Sequence, residues 1–357
     1  MRLENILKEI APTNQEIFEK AKERTSNLIM PYRAMGMLND ISEKVCAIKE
    51  TLKPSVNKRA VFVMAGDHGV VEEGVSAFPQ QVTCEMIKAF VNDIATITVL
   101  ARQNNCSTIV ADVGSKCNIS EKELKGSNKF IVKKVKYRTN NFTKEPAMTR
   151  EEAEKSIMTG FEIASEEIKS QKLDVIATGD MGIGNTTPSS AIGAVITGKS
   201  VEEMTGKGTG ITSDLLQNKI NVIKTGINLH KPNPDDAIDI LSKVGGIEIG
   251  AIAGVILAGA YHKIPVIIDG LISTAGALIA YKLCPTVKEY MFAGHISEEP
   301  GHKYMLEYLG LSPLLRLNMR LGEGTGAVLA MHILDAAVKI ITEVATFEEA
   351  GVSKSDI

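Results

Sequence analysis

The segment from Leu173 to Thr197 constrains the fold more than any other part of the chain. A short apolar run leads into Gly179-Asp180-Met181-Gly182-Ile183-Gly184-Asn185-Thr186-Thr187-Pro188, and small residues follow. This order predicts a buried strand, a glycine turn and a helix that Thr187 caps, with Pro188 in the first helical position. A helix N-terminus approached through glycines suits a phosphate, although the same residues also suit a tight turn without a ligand.

Apolar strands alternate with amphipathic helices over most of the chain, which is typical of a parallel sheet covered on both faces. The predicted fold is α/β, a doubly wound and mostly parallel sheet with a small helical domain from both chain termini. We expect the small domain at residues 1–55 plus 328–357 and a large α/β catalytic domain at 56–327. Ligands of such sheets bind at the carboxyl ends of the strands. The candidate strands lie at 61–65, 108–113, 130–135, 173–178, 264–268 and 290–293.

Composition argues against several classes of function. The net charge is −3, and aromatic residues make up 4% of the 357 residues without any tryptophan, which argues against nucleic-acid binding. Every apolar stretch of membrane-spanning length contains a charge or a glycine, and the first residues, MRLENILKEI, do not resemble a signal peptide. The five cysteines form no CxxC pair. We therefore expect a cytoplasmic protein that binds neither nucleic acid nor membranes.

Glu323 is the sharpest candidate for a reactive side chain. It lies between two glycines in Arg320-Leu321-Gly322-Glu323-Gly324-Thr325-Gly326, just before a long apolar helix. A helix N-terminus favours the ionised form of a carboxyl group, so Glu323 is expected to be available as a base at neutral pH. The alternative is a glutamate that only caps the helix.

The other candidate groups are less specific. Asp67-His68 follows a predicted strand and suits a metal or acid–base pair, but it suits equally an aspartate that accepts backbone hydrogen bonds in a turn. His295 and His302 have the content of a metal cluster, yet the Ser-Glu-Glu-Pro run between them is typical of a loop and helix start. Lys219 could supply positive charge to a phosphate. The sequence therefore predicts no metal site. It also lacks a clean GxGxxG fingerprint, which argues against a dinucleotide-binding oxidoreductase.

Several strings occur together and in order along the chain. They are AGDHGVVEEGVSAFPQQVT (65–83), TGDMGIGNTTPSSAI (178–192), GKGTGI (206–211), IPVIIDGLISTAGAL (264–278), GHISEEPGH (294–302), RLGEGTGAVLA (320–330) and ATFEEAGVS (345–353). Over nearly its whole length the chain resembles the nicotinate-nucleotide–dimethylbenzimidazole phosphoribosyltransferase family of cobamide synthesis. The family fold, a doubly wound parallel sheet with a helical small domain, agrees with the pattern of elements.

The resemblance implies a glycosyl transfer. A 5-phosphoribosyl group passes from nicotinate mononucleotide to a lower-ligand base, such as 5,6-dimethylbenzimidazole, with inversion at C1′. The products are α-ribazole 5′-phosphate, or an analogue, and nicotinate. No cofactor is expected, because the donor already carries a cationic pyridinium leaving group. The expected partners are the mononucleotide and an aromatic base, in a homodimer or a heterodimer with a paralogue.

The resemblance also assigns roles to particular residues. Glu323 matches the catalytic glutamate and is the expected general base, and Asp180 is the second catalytic candidate. The phosphate and ribose are expected to be bound by Gly182, Gly184, Asn185, Thr186, Lys219 and Asp269. The base pocket is expected to be lined by Ser76, Phe78 and Met86. Asp269, at the end of a strand, is expected to orient either the loop or a ribose hydroxyl.

The chain departs from the family pattern at two places. Asp180 stands where the family usually has glutamate, and residues 28–36 read LIMPYRAMG where the family usually reads Thr-Lys-Pro-x-Gly-Ser-Leu-Gly. Both changes bear on the choice of acceptor. The alternative function is therefore the same transfer to a phenolic or purine acceptor, as one subunit of a heterodimer. A non-catalytic partner subunit is the remaining alternative, and the intact Glu323 argues against it.

Overall fold

The protein is built on one parallel β-sheet. The computed structural model describes residues 2–119, 124–208, 210 and 212–353, so Thr209 and Ile211 of the GKGTGI string lie outside the described residues. Among the described residues, all strand pairs of this sheet are parallel, and the strand order is β3-β2-β1-β4-β5-β6-β7. The strands are β1 (Arg59–Gly66), β2 (Cys106–Gly114), β3 (Lys129–Val132), β4 (Val175–Met181), β5 (Val266–Ile268), β6 (Met291–His295) and β7 (Pro313–Leu315). The predicted α/β fold class is confirmed.

Helices connect the strands and flank the sheet. They are α1 (Leu3–Glu9), α2 (Gln15–Ser26), α3 (Met37–Lys49), α4 (Val82–Val91), α5 (Thr96–Gln103), α6 (Arg150–Gln171), α7 (Thr186–Thr197), α8 (Val201–Met204), α9 (Ser213–His230), α10 (Ala237–Val244), α11 (Ile247–Tyr261), α12 (Leu271–Leu283), α13 (Pro300–Leu309), α14 (Thr325–Glu343) and α15 (Phe347–Ala350). The strand β7 was not predicted from the sequence, because three residues that include a proline carry no strand periodicity.

Alternate residues of β4 contact different layers, as the two-residue period of a strand requires. The side chain of Ile176 reaches Gly259 of α11, whereas Gly179 lies against the backbone of Glu323, just before α14. Helix α11 also packs on β1 and β2, and α14 packs on β4, β5, β6 and β7. The sheet is therefore covered on both faces, and its central strands are buried throughout.

The direction in which successive strands are added to the sheet reverses between β1 and β4. From β1 the chain winds outward to β2 and β3, and it then returns to place β4 on the other side of β1. A crevice opens at such a switch point, outside the carboxyl ends of the two strands. The loops that follow β1 and β4, at 67–68 and 182–185, lie at this point. They contain the Asp67-His68 pair and the glycine turn that the sequence singled out.

Helices from both ends of the chain pack together. Helices α2 and α3 contact each other, and both contact α14 near the C-terminal end of the described chain. A small buried cluster of Ala21, Cys46 and Ile341 joins them. The division into a small and a large domain stays a prediction, because α14 packs on the sheet as well as on these helices.

In the part of the chain that the structure describes, one helix is long and apolar enough to cross a membrane by length and composition. This helix is α14, and 56% of its most apolar window is buried inside the protein. It contains Asp335 and Lys339 and packs against four strands of the sheet. Both features are those of a core helix.

Two of the five cysteines form a disulfide that the sequence did not indicate. Cys84 of α4 is bonded to Cys117, in the loop after β2, across 33 positions of sequence. Cys46, Cys106 and Cys284 are free and buried. The spacing of the cysteines gave no signal for the pair, because the two residues meet only once α4 has packed beside β2.

Candidate active site

A cavity of about 410 Å³ opens at the switch point of the sheet. It is lined by Val75, Ser76, Phe78, Val82, Met86, Thr96, Asp180, Met181, Gly182, Ile183, Gly184, Asn185, Thr186, Lys207, Gly208, Lys219, Leu321 and Glu323. The structure thus brings together all of the site residues expected from the sequence except Asp269. These residues come from segments more than 200 positions apart in the chain.

The cavity has an apolar end and a polar end. Aliphatic, thioether and aromatic side chains of Val75, Phe78, Val82 and Met86 come from the segment after β1 and from α4. Phe78 is 48% exposed and lies at the mouth. The polar end is formed by the loop after β4 and by two lysines, Lys207 and Lys219. This division suits a ligand with a flat apolar ring at one side and an anionic group at the other.

Lys219 is a buried cation at the polar end. It is 1% exposed, and its Nζ donates to Thr186 Oγ1 at 2.7 Å and to Gly206 O at 3.3 Å. Burial lowers the pKa of its ammonium group to about 8, against an opposing influence of Glu299. A buried ammonium that is close to its pKa gains strongly from a nearby anion. Lys219 is therefore suited to bind a phosphate.

Glu323 is held in a strained conformation beside the apolar end. Its φ is 65°, and the flanking Gly322 and Gly324 have φ of 85° and 98°, so three consecutive residues are left-handed. A positive φ costs a non-glycine residue free energy and is common at functional sites. The Ile97 N–H, at the start of α5, donates to Glu323 Oε2 at 3.4 Å. The conformation therefore directs the carboxylate toward α5 and into the cavity.

The protonation of Glu323 is set by opposing influences. Burial raises the pKa of its carboxyl group to about 7, and Asp269 adds to the rise, while the Ile97 N–H opposes it. Burial thus outweighs the groups that favour the ionised form. A carboxylate with a pKa near 7 is still well matched to a general base at neutral pH.

Asp269 lies beneath Glu323 and not in the cavity wall. It is fully buried, and its carboxylate accepts from the N–H groups of Gly324 at 3.0 Å, Gly326 at 2.8 Å and Ala327 at 3.0 Å. His295 Nδ1 lies 3.6 Å from Asp269 Oδ1. Of the two roles expected for Asp269, this geometry matches the orientation of a loop. The carboxylate caps α14 and fixes the backbone on both sides of the helix start.

Asp180 is the last buried polar residue of β4. Its Oδ2 accepts from Asn185 Nδ2 at 2.9 Å, and its Oδ1 has no hydrogen-bond partner among the described residues. Burial raises the pKa of Asp180 well above its usual range, and the negative charge of Asp269 raises it further. A buried, unpartnered oxygen beside a cavity is a ready partner for a hydroxyl of a ligand.

A second, smaller cavity of about 60 Å³ adjoins the first. The two share Asp180, Asn185, Thr186, Gly208 and Leu321 in their walls. The smaller cavity also reaches the N-terminus of α12 at Gly270-Leu271, and it is lined further by Ile272, His295, Ser297, Glu299, Arg320 and Gly322. Its wall thus combines the N-terminus of α12 with the carboxyl groups of Asp180 and Glu299.

Helix α7 begins earlier than expected. Asn185 is its cap and Thr186 its first residue, so Thr187 and Pro188 are the second and third residues of the helix. The expected capping by Thr187 is wrong, because the Thr187 N–H already bonds Gly184 O and its own hydroxyl has no partner among the described residues. Asn185 N–H likewise bonds Gly182 O. These contacts occupy donors that a phosphate would otherwise use.

The side chains of Asp67 and His68 contact other buried parts of the protein. Asp67 Oδ2 accepts from the Lys116 N–H at 2.8 Å, as expected for an aspartate in a turn. His68 Nε2 lies 2.8 Å from Glu248 Oε1, and both side chains are buried. Within the described part of the chain, no group of three or more histidine, cysteine, aspartate or glutamate side chains is arranged to hold a metal.

Some lining residues were missed by the sequence reasoning. Thr96 and Leu321 line the main cavity, and Leu321 could have been found from its place beside Glu323. Thr96 gave no signal, because it follows an unremarkable polar turn and comes to the cavity only through the packing of α5 on β2 and α14.

Comparison with known proteins agrees with this arrangement. A family model described as a phosphoribosyltransferase matches residues 10–352. A protein of Desulforamulus reducens named nicotinate-nucleotide–dimethylbenzimidazole phosphoribosyltransferase is 50% identical over 353 residues, which are 99% of each chain. A protein of the same name from Desulfotalea psychrophila is 48% identical over 98% of each chain.

The fold is also similar to that of a solved structure. The crystal structure of CobT from Thermus thermophilus superimposes with a TM-score of 0.90 at 42% identity, covering 95% of this chain and 100% of that one. The resemblance noted in the sequence is thereby confirmed. The chain belongs to the nicotinate-nucleotide–dimethylbenzimidazole phosphoribosyltransferase family.

Proposed function

We propose that this protein transfers the 5-phosphoribosyl group of nicotinate mononucleotide to 5,6-dimethylbenzimidazole, giving α-ribazole 5′-phosphate and nicotinate. The observation that carries the proposal is the position of Glu323. It lines the same cavity as the apolar wall of Phe78 and Met86 and the buried cation of Lys219. A base, an aromatic pocket and an anion site are the three parts that such a transfer needs.

The flat acceptor lies at the apolar end. Val75, Phe78, Val82 and Met86 contact its ring and methyl groups, and burial of this apolar surface supplies affinity. The ring nitrogen that carries the N–H then points toward Glu323. The ionised carboxylate takes this proton while the lone pair of the other ring nitrogen attacks C1′.

The ribose phosphate of the donor lies at the polar end. Lys219 supplies positive charge, and the N-terminus of α12 supplies N–H groups at the smaller cavity. This helix is favoured over α7 as the main phosphate site, because α7 spends donors on its own loop. Asp180 Oδ1 and Glu299 Oε2 accept no hydrogen bond from the described residues, and both oxygens suit the ribose hydroxyls.

The reaction is a displacement at C1′. The bond from C1′ to the acceptor nitrogen forms while the bond to the pyridinium nitrogen breaks, and the electron pair of the broken bond neutralises the pyridinium. Attack from the opposite face inverts the β linkage to α. Holding both reactants in one cavity supplies much of the acceleration.

We also propose a cellular setting and an assembly for the enzyme. A phosphorylated donor does not cross an apolar bilayer, which supports a cytoplasmic location. Association as a homodimer, or as a heterodimer with a paralogue, is supported by exposed apolar side chains in one short segment, Ile29, Tyr32, Met35 and Met37. A small helical domain of residues 1–55 plus 328–357 would carry this segment.

An acceptor screen tests the proposed function. Purified protein is incubated with nicotinate mononucleotide and, in separate reactions, dimethylbenzimidazole, benzimidazole, adenine and p-cresol, and products are identified by mass. We expect the riboside phosphate of dimethylbenzimidazole as the main product. Preferred turnover of adenine or p-cresol would support the alternative acceptors, and release of nicotinate without any riboside would contradict the transfer.

A further inference from the structure

Helix α4 contains a buried hydroxyl that the mechanism above does not use. Thr83, the second residue of α4, is fully buried, and its Oγ1 accepts from the Ile183 N–H at 3.1 Å. Ile183 lies between the two loop glycines that line the cavity, Gly182 and Gly184. A single side chain of α4 thus reaches across the switch point to the loop after β4.

This hydrogen bond joins the two walls of the cavity. Helix α4 carries Val82 and Met86, which line the apolar end, and the loop after β4 carries the polar end. Thr83 is adjacent to Val82 in the chain. Any movement of the loop relative to α4 would therefore change the distance between the two bound reactants.

The two glycines of this loop pack against the end of β1 and the segment that follows it. A Cβ on Gly182 would lie 2.2 Å from Gly66 O and 3.2 Å from His68 Nε2, and one on Gly184 would lie 2.6 Å from Val71 Cγ2. The loop rests directly on the segment after β1, with no room for side chains. Packing fixes how closely the loop approaches the segment after β1. The hydroxyl of Thr83 adds a directional hydrogen bond at the Ile183 N–H.

We propose that Thr83 is a positioning residue, which sets the loop at 182–184 against the acceptor wall so that C1′ of the donor meets the acceptor nitrogen. The inference rests on the proposed function, since it assigns the two walls to the two substrates.

Two substitutions at Thr83 separate the hydroxyl from the packing. Thr83→Val keeps the shape and removes the hydroxyl, whereas Thr83→Ser keeps the hydroxyl and removes a buried methyl group. We expect Thr83→Val to lower kcat/KM by about tenfold or more, mainly through kcat. Thr83→Ser should stay within about threefold of the wild type although it loses packing.

A control variant shows the effect of losing a buried threonine hydroxyl elsewhere. Thr25 of α2 is also buried and donates to Glu43 Oε1 at 2.6 Å, far along the chain from the cavity residues. Thr25→Val should lower Tm and leave kcat/KM unchanged. If loss of activity followed loss of Tm across the three variants, Thr83 would be a structural residue only, and the inference would be overturned.

Hydrogen exchange supplies a readout that does not need turnover. The amide of Ile183, followed in a peptide that spans 181–185, should exchange faster in Thr83→Val than in the wild type and in Thr83→Ser. Unchanged exchange would contradict the contact, and faster exchange with unchanged kcat/KM would contradict the positioning role. Failure of the wild type to form any riboside phosphate would instead contradict the proposed function, and the exchange result would still decide the contact.

Discussion

Two glycine-containing loops meet at the cavity, and they are fixed in different ways. The loop before α14 has three consecutive left-handed residues, Gly322, Glu323 and Gly324, and the charged carboxylate of Asp269 holds the backbone that follows. The loop after β4 continues from a strand and packs closely on the segment after β1, and the Ile183 N–H donates to Thr83 Oγ1. The first loop is strained and clamped by a charge, whereas the second is packed and joined by a neutral group.

The difference follows from what each loop carries. Glu323 must be held in an unfavourable conformation, and several charge-assisted hydrogen bonds offset that strain. The loop after β4 presents its backbone and the short side chains of Asn185 and Thr186, which need a close approach but no strain at a non-glycine residue. Changes in the clamped loop should therefore have larger effects than changes in the packed loop.

Replacement of Glu323 should have the largest effect. Glu323→Gln keeps the shape and removes the base, so we expect kcat/KM to fall by roughly 10²- to 10⁴-fold. Steady-state kinetics with nicotinate mononucleotide and dimethylbenzimidazole measure the loss. Activity within about threefold of the wild type would remove Glu323 from the role of base.

The stability of the same variant provides a control for folding. The pKa of Glu323 is higher in the folded protein, so its contribution to stability is present at low pH and is lost as pH rises through about 7. Glutamine does not ionise. Glu323→Gln should therefore have a Tm a few degrees above the wild type at pH 8 and equal to it near pH 4.

Replacement of Asp269 tests the clamp itself. Asp269→Asn leaves one acceptor oxygen for three N–H groups and turns an amide toward them, so we expect a loss of about 2–4 kcal/mol in the free energy of unfolding. Release of the Glu323 backbone should lower kcat by about tenfold to a hundredfold. Chemical denaturation and steady-state kinetics measure the two effects.

Asp236 is a matched control for this substitution. It also caps a helix, α10, by accepting from the Ile238 and Asp239 N–H groups, but it is partly exposed and lines neither cavity. Asparagine is an equally good helix cap, so Asp236→Asn should change stability by less than about 1 kcal/mol. Equal effects of the two substitutions would show that Asp269 is an ordinary cap.

The pH dependence of kcat/KM should reflect two groups, one at each end of the cavity. Glu323 acts as the anion, so activity should fall as pH drops below about 7, where its carboxyl group becomes protonated. Lys219 acts as the cation, so activity should fall as pH rises above about 8. The result is a narrow bell-shaped profile. In Lys219→Arg the alkaline limb should disappear, because arginine stays charged.

Much of this fold could be predicted from the sequence, because its signals are local. The run from Leu173 to Pro188 specifies a strand, a loop and a helix through apolar periodicity and glycines, and the structure has all three. The glycines around Glu323 likewise indicate a special backbone. Such signals place the elements but leave the helix start uncertain by one or two residues, as at Thr186.

The contacts between distant segments could not be predicted in this way. The bonds from Asp269 to Gly324 and from Thr83 to Ile183 join residues 55 and 100 positions apart. The raised pKa of Glu323 depends on its burial and on Asp269, and neither is visible in the string around it. The sequence indicates which groups are present, whereas packing decides which of them meet.

Asp180 should have a smaller effect, and one on the choice of acceptor more than on the rate. It lies between the two cavities, and one of its oxygens has no partner among the described residues. Asp180→Glu restores the usual residue of the family and adds one methylene, a difference worth roughly 1–3 kcal/mol between competing ligands in a packed site. The ratio of kcat/KM for dimethylbenzimidazole and adenine should therefore shift by about tenfold. Equal changes for both acceptors would mean that Asp180 only holds Asn185 and the loop, and an unchanged ratio would exclude a role in acceptor choice.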